Sequence, residues 1–191
     1  MKIYRINEIF YSLQGEGFWS GTPMVFVRMS GCNLRCPFCD TDHGSYAEMD
    51  SHRIISEVRN ASSECRRICI TGGEPALQID DGLVADLHEA GYSLHIETNG
   101  TMELPSGIDW ITVSPKSDAV HSPAAATVLR HADEIKLVFL GTDVEKWADF
   151  PAAHHFLQPC SCENTAETVE YVLLHPRWRL SLQTHKYIDI R

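Results

Sequence analysis

Three cysteines fall within eight positions of one another, in the run Cys32-Asn-Leu-Arg-Cys36-Pro-Phe-Cys39. Thiolates are soft ligands, and three of them on one loop, with gaps of three and two residues, suit a 4Fe-4S cubane that leaves one iron open. A structural zinc would want four protein ligands in paired groups, and the chain has no second Cys-x-x-Cys and no His-x-x-x-His pair. The total of seven cysteines is odd. Clustering of this kind fits thiolate ligation in a reducing compartment better than a disulfide framework. Cys65, Cys69, Cys160 and Cys162 could in principle hold a second cluster, but Cys65 and Cys69 flank the start of a strand and would diverge across its pleat. Free or buried thiols are expected there.

Other polar groups with chemical potential stand in short motifs. These are Thr71-Gly72-Gly73-Glu74-Pro75, Glu97-Thr-Asn-Gly, Ser114-Pro115-Lys116 and Gln158-Pro159-Cys160-Ser161. Each alone reads as a turn, since Gly-Gly, Glu-Pro and Ser-Pro are common loop dipeptides. Their placement is what matters. Apolar runs of strand length cover 24–30, 66–71, 93–99, 109–114, 134–140 and 154–159, and every motif sits at the carboxyl end of one of them. Helical spacing covers 52–61, 80–91, 124–132 and 165–175. Strands alternating with helices predict parallel strands joined by right-handed crossovers, with the chemistry at the strand carboxyl ends. A complete eight-unit barrel takes about 250 residues. The 191 residues here predict an α/β fold, an abridged (partial) TIM-like barrel of about six parallel strands with fewer covering helices.

A chain of this size, 43% hydrophobic, is read as one domain over residues 1–191. The formal net charge of −10 sets a field that does not attract a polyanion, so nucleic acid is not expected as a direct partner. The four tryptophans are scattered without the spacing of a base-stacking platform. No apolar run approaches the roughly 20 residues of a membrane span, and the first residues turn polar too soon for a secretion signal. No membrane contact and a cytoplasmic location are expected.

The cysteine loop, with Gly72-Gly73-Glu74-Pro75, Ser114 to Lys116 and Gln158 to Ser161 following in order, resembles the radical S-adenosylmethionine superfamily. There the methionyl amine and carboxylate chelate the open iron. The resemblance implies cofactor contacts from Phe38, Cys39, Asp40, Gly73, Glu74, Ser114, Pro115, Lys116, Gln158, Pro159, Cys160 and Ser161. The segment at Cys160 departs from the expected acidic or small polar residue. A closer resemblance spans nearly the whole chain. FYSLQGEG (10–17), FVRMSGCNLRC (26–36), CDT (39–41), ICITGGEP (68–75), ETNGT (97–101), VSPK (113–116) and SLQTHKY (181–187) are similar to the 7-carboxy-7-deazaguanine synthases.

That family contracts the ring of 6-carboxy-5,6,7,8-tetrahydropterin, with release of ammonia, on the way to 7-deazapurines such as queuosine. The resemblance implies one 4Fe-4S cluster, S-adenosylmethionine and Mg2+, the magnesium held by Thr41. It implies an N-terminal substrate-binding segment, an electron donor such as flavodoxin or ferredoxin, a homodimer, and a C-terminal segment closing the active site. Arg28 is read as the clamp for the substrate carboxylate, because a guanidinium fork suits that group. Leu13, Gln14 and Gly15 would meet the pterin edge, and Thr71 would add a hydroxyl. Glu97 and His185 are the candidates for proton handling, with His185 also touching substrate. The segment 179–184 reads as a strand whose apolar alternation continues through 187–190, which gives the tail material to dock along the barrel edge, and the resemblance implies that the carboxylate of Arg191 then reaches the pterin. Two rival classes share parts of this pattern. A glycyl-radical activase has the same cysteine spacing but a protein substrate. A noncatalytic 4Fe-4S electron carrier would want a fourth cysteine and leaves the Gly-Gly-Glu-Pro and Ser-Pro-Lys motifs without a role.

Overall fold

A computed structural model describes residues 2–191. Nine strands form one sheet in the order β3-β1-β2-β4-β5-β6-β7-β8-β9. They are β1 (Tyr4–Leu13), β2 (Pro23–Met29), β3 (Ala47–Met49), β4 (Arg67–Gly72), β5 (Ser93–Thr98), β6 (Trp110–Val113), β7 (Ala132–Phe139), β8 (Ala152–Pro159) and β9 (Arg179–Leu180). From β2 through β4 to β9 every pairing is parallel, while β1 runs antiparallel to both β2 and β3. This is the abridged parallel barrel the sequence predicts. Six strands fall within about two residues of their predicted ends, and β9 adds a two-residue seventh.

The first half is covered by two helices with good capping. In α1 (Ser51–Ala61) the Asp50 carboxylate accepts from Arg53 N at 2.9 Å, and in α2 (Asp81–Glu89) Asp80 accepts from Leu83 N at 2.9 Å. Their apolar faces (Ile54, Ile55, Val58; Leu83, Val84, Leu87) meet Val25, Val27, Ile68, Ile70, Leu94 and Ile96 in the larger core. A second core joins β7 and β8 to Trp178 beneath α3 (Thr165–Leu174).

Two sequence readings need correction, and one strand has no counterpart among them. The helix expected over 124–132 is reduced to a single turn at Pro123–Ala125. From Ala126 the backbone is extended, and the N–H groups of Val128 and Leu129 donate to Gly100 O at 2.8 and 3.3 Å, so they serve the end of β5 and not a helix ladder. The strand read over 179–184 stops at Leu180, and the tail turns into the short helix α4 (Thr184–Tyr187). Residues 187–190 therefore do not extend a strand, and Tyr187 and Ile188 are more than half exposed. The ten-residue β1 went unread, because its polar Asn7, Glu8 and Ser12 interrupt any simple apolar run. No helix among the described residues is long and apolar enough to cross a membrane.

Candidate active site

The carboxyl ends of the strands open into a cavity of about 530 Å³. One wall is the loop after β2. Cys32, Cys36 and Cys39 all face the cavity, and Cys39 N donates to Cys36 O at 3.1 Å to close a turn between them. Gly73 lets the turn after β4 press onto this loop, since a Cβ there would stand 2.1 Å from Gly31 O and 2.9 Å from Cys32 Cβ. Asn33 ties the loop to the end of β5, donating to Thr101 Oγ1 at 2.8 Å and accepting from Asn99 Nδ2 at 3.0 Å. Burial pushes the Cys32 and Cys36 thiols up, with Glu74 and Cys39 adding to the effect at Cys32 and Lys116 opposing it at Cys36. Three soft donors on one loop, facing one space, fit a cubane with an open iron.

The strand-end motifs divide into cavity-facing and bracing groups. Gly73, Ser114, Lys116, Gln158, Pro159, Cys160 and Ser161 line the cavity with Phe38, Asp40 and Thr41. Lys116 Nζ donates to Ser114 Oγ at 2.6 Å and lies 5.7 Å from the Phe38 ring centroid. Glu74 is different. It is fully buried, and its carboxylate accepts from Ala76 N, Thr98 Oγ1 and Asn99 N at 2.7–2.9 Å, bracing β4 to β5 behind the cavity wall. Pro115 likewise stands outside the lining. Ser161 and Cys162 adopt φ of 48° and 68°, a conformation rare for side chains of this kind and concentrated at functional sites. Ser161 Oγ and Asp40 Oδ2 both accept from Lys186 Nζ, at 2.9 and 2.6 Å. The tail thereby spans from the cysteine loop to the end of β8.

The floor is built from the segment after β1. Gln14 Nε2 donates to Glu97 Oε1 at 3.1 Å. Lys136, on β7 and only 3% exposed, donates to Glu16 Oε2 at 2.6 Å and to Glu97 Oε2 at 2.7 Å. Burial opposes charge on Glu16 and on Lys136, yet the Lys136 ammonium outweighs it at Glu16 and holds that carboxyl at about 2. The flanking carboxylates in turn hold Lys136 charged well above its ordinary range. Gly15 O accepts from both Thr184 N and Thr184 Oγ1, and a Cβ on Gly15 would stand 2.0 Å from His185 Nδ1. Gly15 is thus what allows His185 to reach the cavity. Leu13, Arg28 and Thr71 complete this side, with Arg28 and Thr71 in register across β2 and β4. Arg28 Nε donates to Glu8 at 2.8 Å. Arg191 also lines the cavity; its main-chain oxygen accepts from Ser12 Oγ at 2.6 Å, and its guanidinium pairs with Glu8 and lies 5.0 Å from the Phe10 ring.

Sequence reasoning missed Glu16, Lys136 and Gln183. A signal existed for Lys136, the lone charge in the apolar half of its strand (Ile135 to Phe139), since a parallel strand covered on both faces rarely tolerates an unpaired lysine. Gln183 Nε2 donates to Glu16 Oε1 at 2.9 Å, and its Oε1 is buried without a partner among the described residues. That leaves an acceptor available to a bound molecule.

Comparison with known proteins places these features among relatives. The Radical SAM superfamily model matches residues 26–121. The 7-carboxy-7-deazaguanine synthase of Bacteroides thetaiotaomicron is 54% identical, over 98% of each chain. The enzyme of that name from Bradyrhizobium diazoefficiens is 40% identical over 98% of this chain and 99% of its own. The crystal structure of QueE from Escherichia coli superposes with a TM-score of 0.79 at 32% identity, covering 96% of this chain and 95% of that one.

Proposed function

The chain belongs to the radical SAM superfamily and, within it, to the 7-carboxy-7-deazaguanine synthase family, and we propose that the cavity residues described above carry that reaction. The enzyme converts 6-carboxy-5,6,7,8-tetrahydropterin to 7-carboxy-7-deazaguanine with release of ammonia, in 7-deazapurine biosynthesis, using a 4Fe-4S cluster, S-adenosylmethionine and Mg2+. Full-length relatives of that one name leave no support for the glycyl-radical activase alternative.

The reading rests on one observation: the three cluster cysteines share a single cavity with Arg28, Glu97, Lys136 and His185. Cys32, Cys36 and Cys39 hold the cluster. When bound, the cluster and S-adenosylmethionine supply a 5′-deoxyadenosyl radical by reductive cleavage, chemistry that belongs to the cofactor and not to the side chains. Gly73, Ser114, Lys116 and the 158–161 segment orient the cofactor, while Glu74 sets the shape of the turn that carries Gly73. Thr41 would offer magnesium a hydroxyl oxygen of the type that ion prefers.

Arg28 orients the substrate through that carboxylate. Leu13, Gln14 and Gly15 meet the pterin edge, and Gln183 Oε1 accepts from one of its N–H groups. Ring contraction with loss of ammonia moves a proton from carbon to the departing nitrogen, and Glu97 and His185 flank the space in which that happens. The whole chain acts as one domain, with residues 10–17 as substrate floor and 181–191 as the closing segment. Deleting 185–191 is expected to impair turnover while cluster content stays normal. The finer assignments extend to the partners: a flavodoxin or ferredoxin as electron donor, a homodimer, and a cytoplasmic setting that keeps the thiols reduced.

Equilibrium binding of the carboxypterin to the oxidised, cluster-loaded protein tests the site without turnover. Arg28→Ala should weaken carboxypterin binding and leave S-adenosylmethionine binding intact. Equal carboxypterin affinity in the two proteins would contradict the clamp.

A further inference from the structure

Below the floor lies a second, smaller chamber of about 10 Å³. That is the space of a single water. Gln14, Glu16 and Glu97 line both this chamber and the substrate cavity, so the two are separated by one layer of side chains. Its far side is made by Trp19, His95, Trp110, Thr112 and Glu134.

Two features of the chamber lack an explanation within the protein. The first is Trp19 Nε1, buried with no hydrogen-bond partner among the described residues. Buried donors are nearly always satisfied by protein or by water. Trp19 cannot turn outward, because its ring is held edge-on against His95 at 4.9 Å and Trp110 at 5.4 Å, with Arg67 5.6 Å away. Trp110 Nε1 shows the contrast, since it donates to Thr112 Oγ1 at 3.1 Å.

The second is the charge count. Lys136 is one cation facing Glu16 and Glu97 directly, and Glu134 stands two residues earlier on the same face of β7. The two histidines nearest Glu134 supply no second positive charge. Burial, then Arg67, hold His95 at about 4, and burial, then Arg179, lower His154, its register partner on β8. Burial raises the Cys69 thiol, and the Asp133 carboxylate accepts from Ile111 N at 2.7 Å. Glu134 Oε2 accepts from Phe18 N at 2.9 Å. Burial, reinforced by Glu97 and Glu16 against the pull of Lys136, raises its carboxyl to about 7. Below that pH it carries an O–H that needs an acceptor.

We propose that the chamber holds one ordered water, accepting from Trp19 Nε1 and bonded to Glu134, and that Glu134 is a positioning residue for the Glu16–Lys136–Glu97 triad. With Glu134 neutral, two anions share one ammonium and stay aimed at the cavity. Once Glu134 ionises, a third anion competes for Lys136 and the triad loosens. The positioning role rests on the reading that Glu16 and Glu97 face the substrate; the water does not.

The two parts have separate tests. A crystal structure of the cluster-loaded protein that resolves ordered solvent should show a water within hydrogen-bond reach of Trp19 Nε1 and Glu134. A dry chamber would overturn the proposal. Carboxypterin affinity of the oxidised holoenzyme, measured from pH 6 to 8.5, should weaken as pH rises by roughly three- to tenfold, the scale of a coupling of half to one pKa unit. Glu134→Gln should hold its affinity across that range, whereas Glu134→Ala should be weaker throughout, with cluster content unchanged in both. A wild-type pH slope in Glu134→Gln would defeat the positioning role. Trp19→Phe keeps the ring packing and removes the donor, so its chamber water should be lost. Retention of that water in the same place would defeat the indole as its anchor. Failure of every protein to bind carboxypterin would overturn the synthase reading and the positioning role together, leaving the water to be decided by the crystal.

Discussion

On the cysteine wall the thiols make only long contacts within the protein, 3.4–4.0 Å from Leu34 N, Asn33 Oδ1 and the Thr41 carbonyl. On the floor, a few residues away, Gln14, Glu16, Glu97, Lys136 and Gln183 are joined by bonds of 2.6–3.1 Å. The wall leaves its donors free for an inorganic group, and the protein supplies only the loop that gathers them. The charged groups of the floor are paired within the protein before any ligand arrives, so they are aimed in advance. Preorganised charge of this kind costs no reorganisation at the moment of reaction, but it makes the floor sensitive to loss of any one partner.

Substitutions in each region should therefore fail differently. Cys36→Ala is expected to have the largest effect, abolishing cluster assembly and cofactor cleavage while the fold persists. Cys65→Ser and Cys162→Ser should assemble normally, as iron and sulfide analysis will show. A wild-type 4Fe-4S spectrum in Cys36→Ala would sink the ligand assignment. Lys136→Met should do the opposite, leaving the cysteine loop intact but stranding two carboxylates. Removing one partner of a buried pair costs about 3–5 kcal/mol, readable as a shift in denaturant midpoint.

The same pair gives a pH signature. Glu16 is held at about 2, below its ordinary 4.5. Its contribution to stability is present above pH 4.5 and is lost as pH falls toward 2. Lys136→Met should abolish that part of the acid limb, and an unchanged limb would count against the triad. Arg28→Ala comes next, with about 1.5–3 kcal/mol lost from substrate binding. The smallest effect belongs to Lys186→Ala at the partly exposed link to Asp40, at about 0.2–1 kcal/mol of stability. A larger loss would mean that the tail is held chiefly by this contact.

The contrast between the regions also explains what could be read from the sequence. The cysteine loop is local: its ligands lie within eight residues, and their spacing alone suggests the chemistry. The six main strands were legible because parallel strands covered on both faces are continuous apolar runs. The floor is assembled from Glu16, Glu97, Lys136 and Gln183, which no local pattern connects, and only Glu97 was foreseen. The helix misread over 124–132 has the same origin. Its alanines favour helix, but the N–H groups of Val128 and Leu129 are claimed by Gly100 from a distant strand end. Nothing in the sequence pairs the Arg191 guanidinium with Glu8, 183 residues away.

The central claim is that one cavity holds both the radical-generating cysteines and a floor built for a carboxypterin. Anaerobic incubation of the reconstituted protein with S-adenosylmethionine, Mg2+, reductant and 6-carboxy-5,6,7,8-tetrahydropterin tests it most directly, with product followed by its deazapurine absorbance and mass. The account predicts 7-carboxy-7-deazaguanine and ammonia in equal amounts, with no product from Cys36→Ala. Cleavage of S-adenosylmethionine without any deazapurine, from a protein with a full cluster, would contradict it.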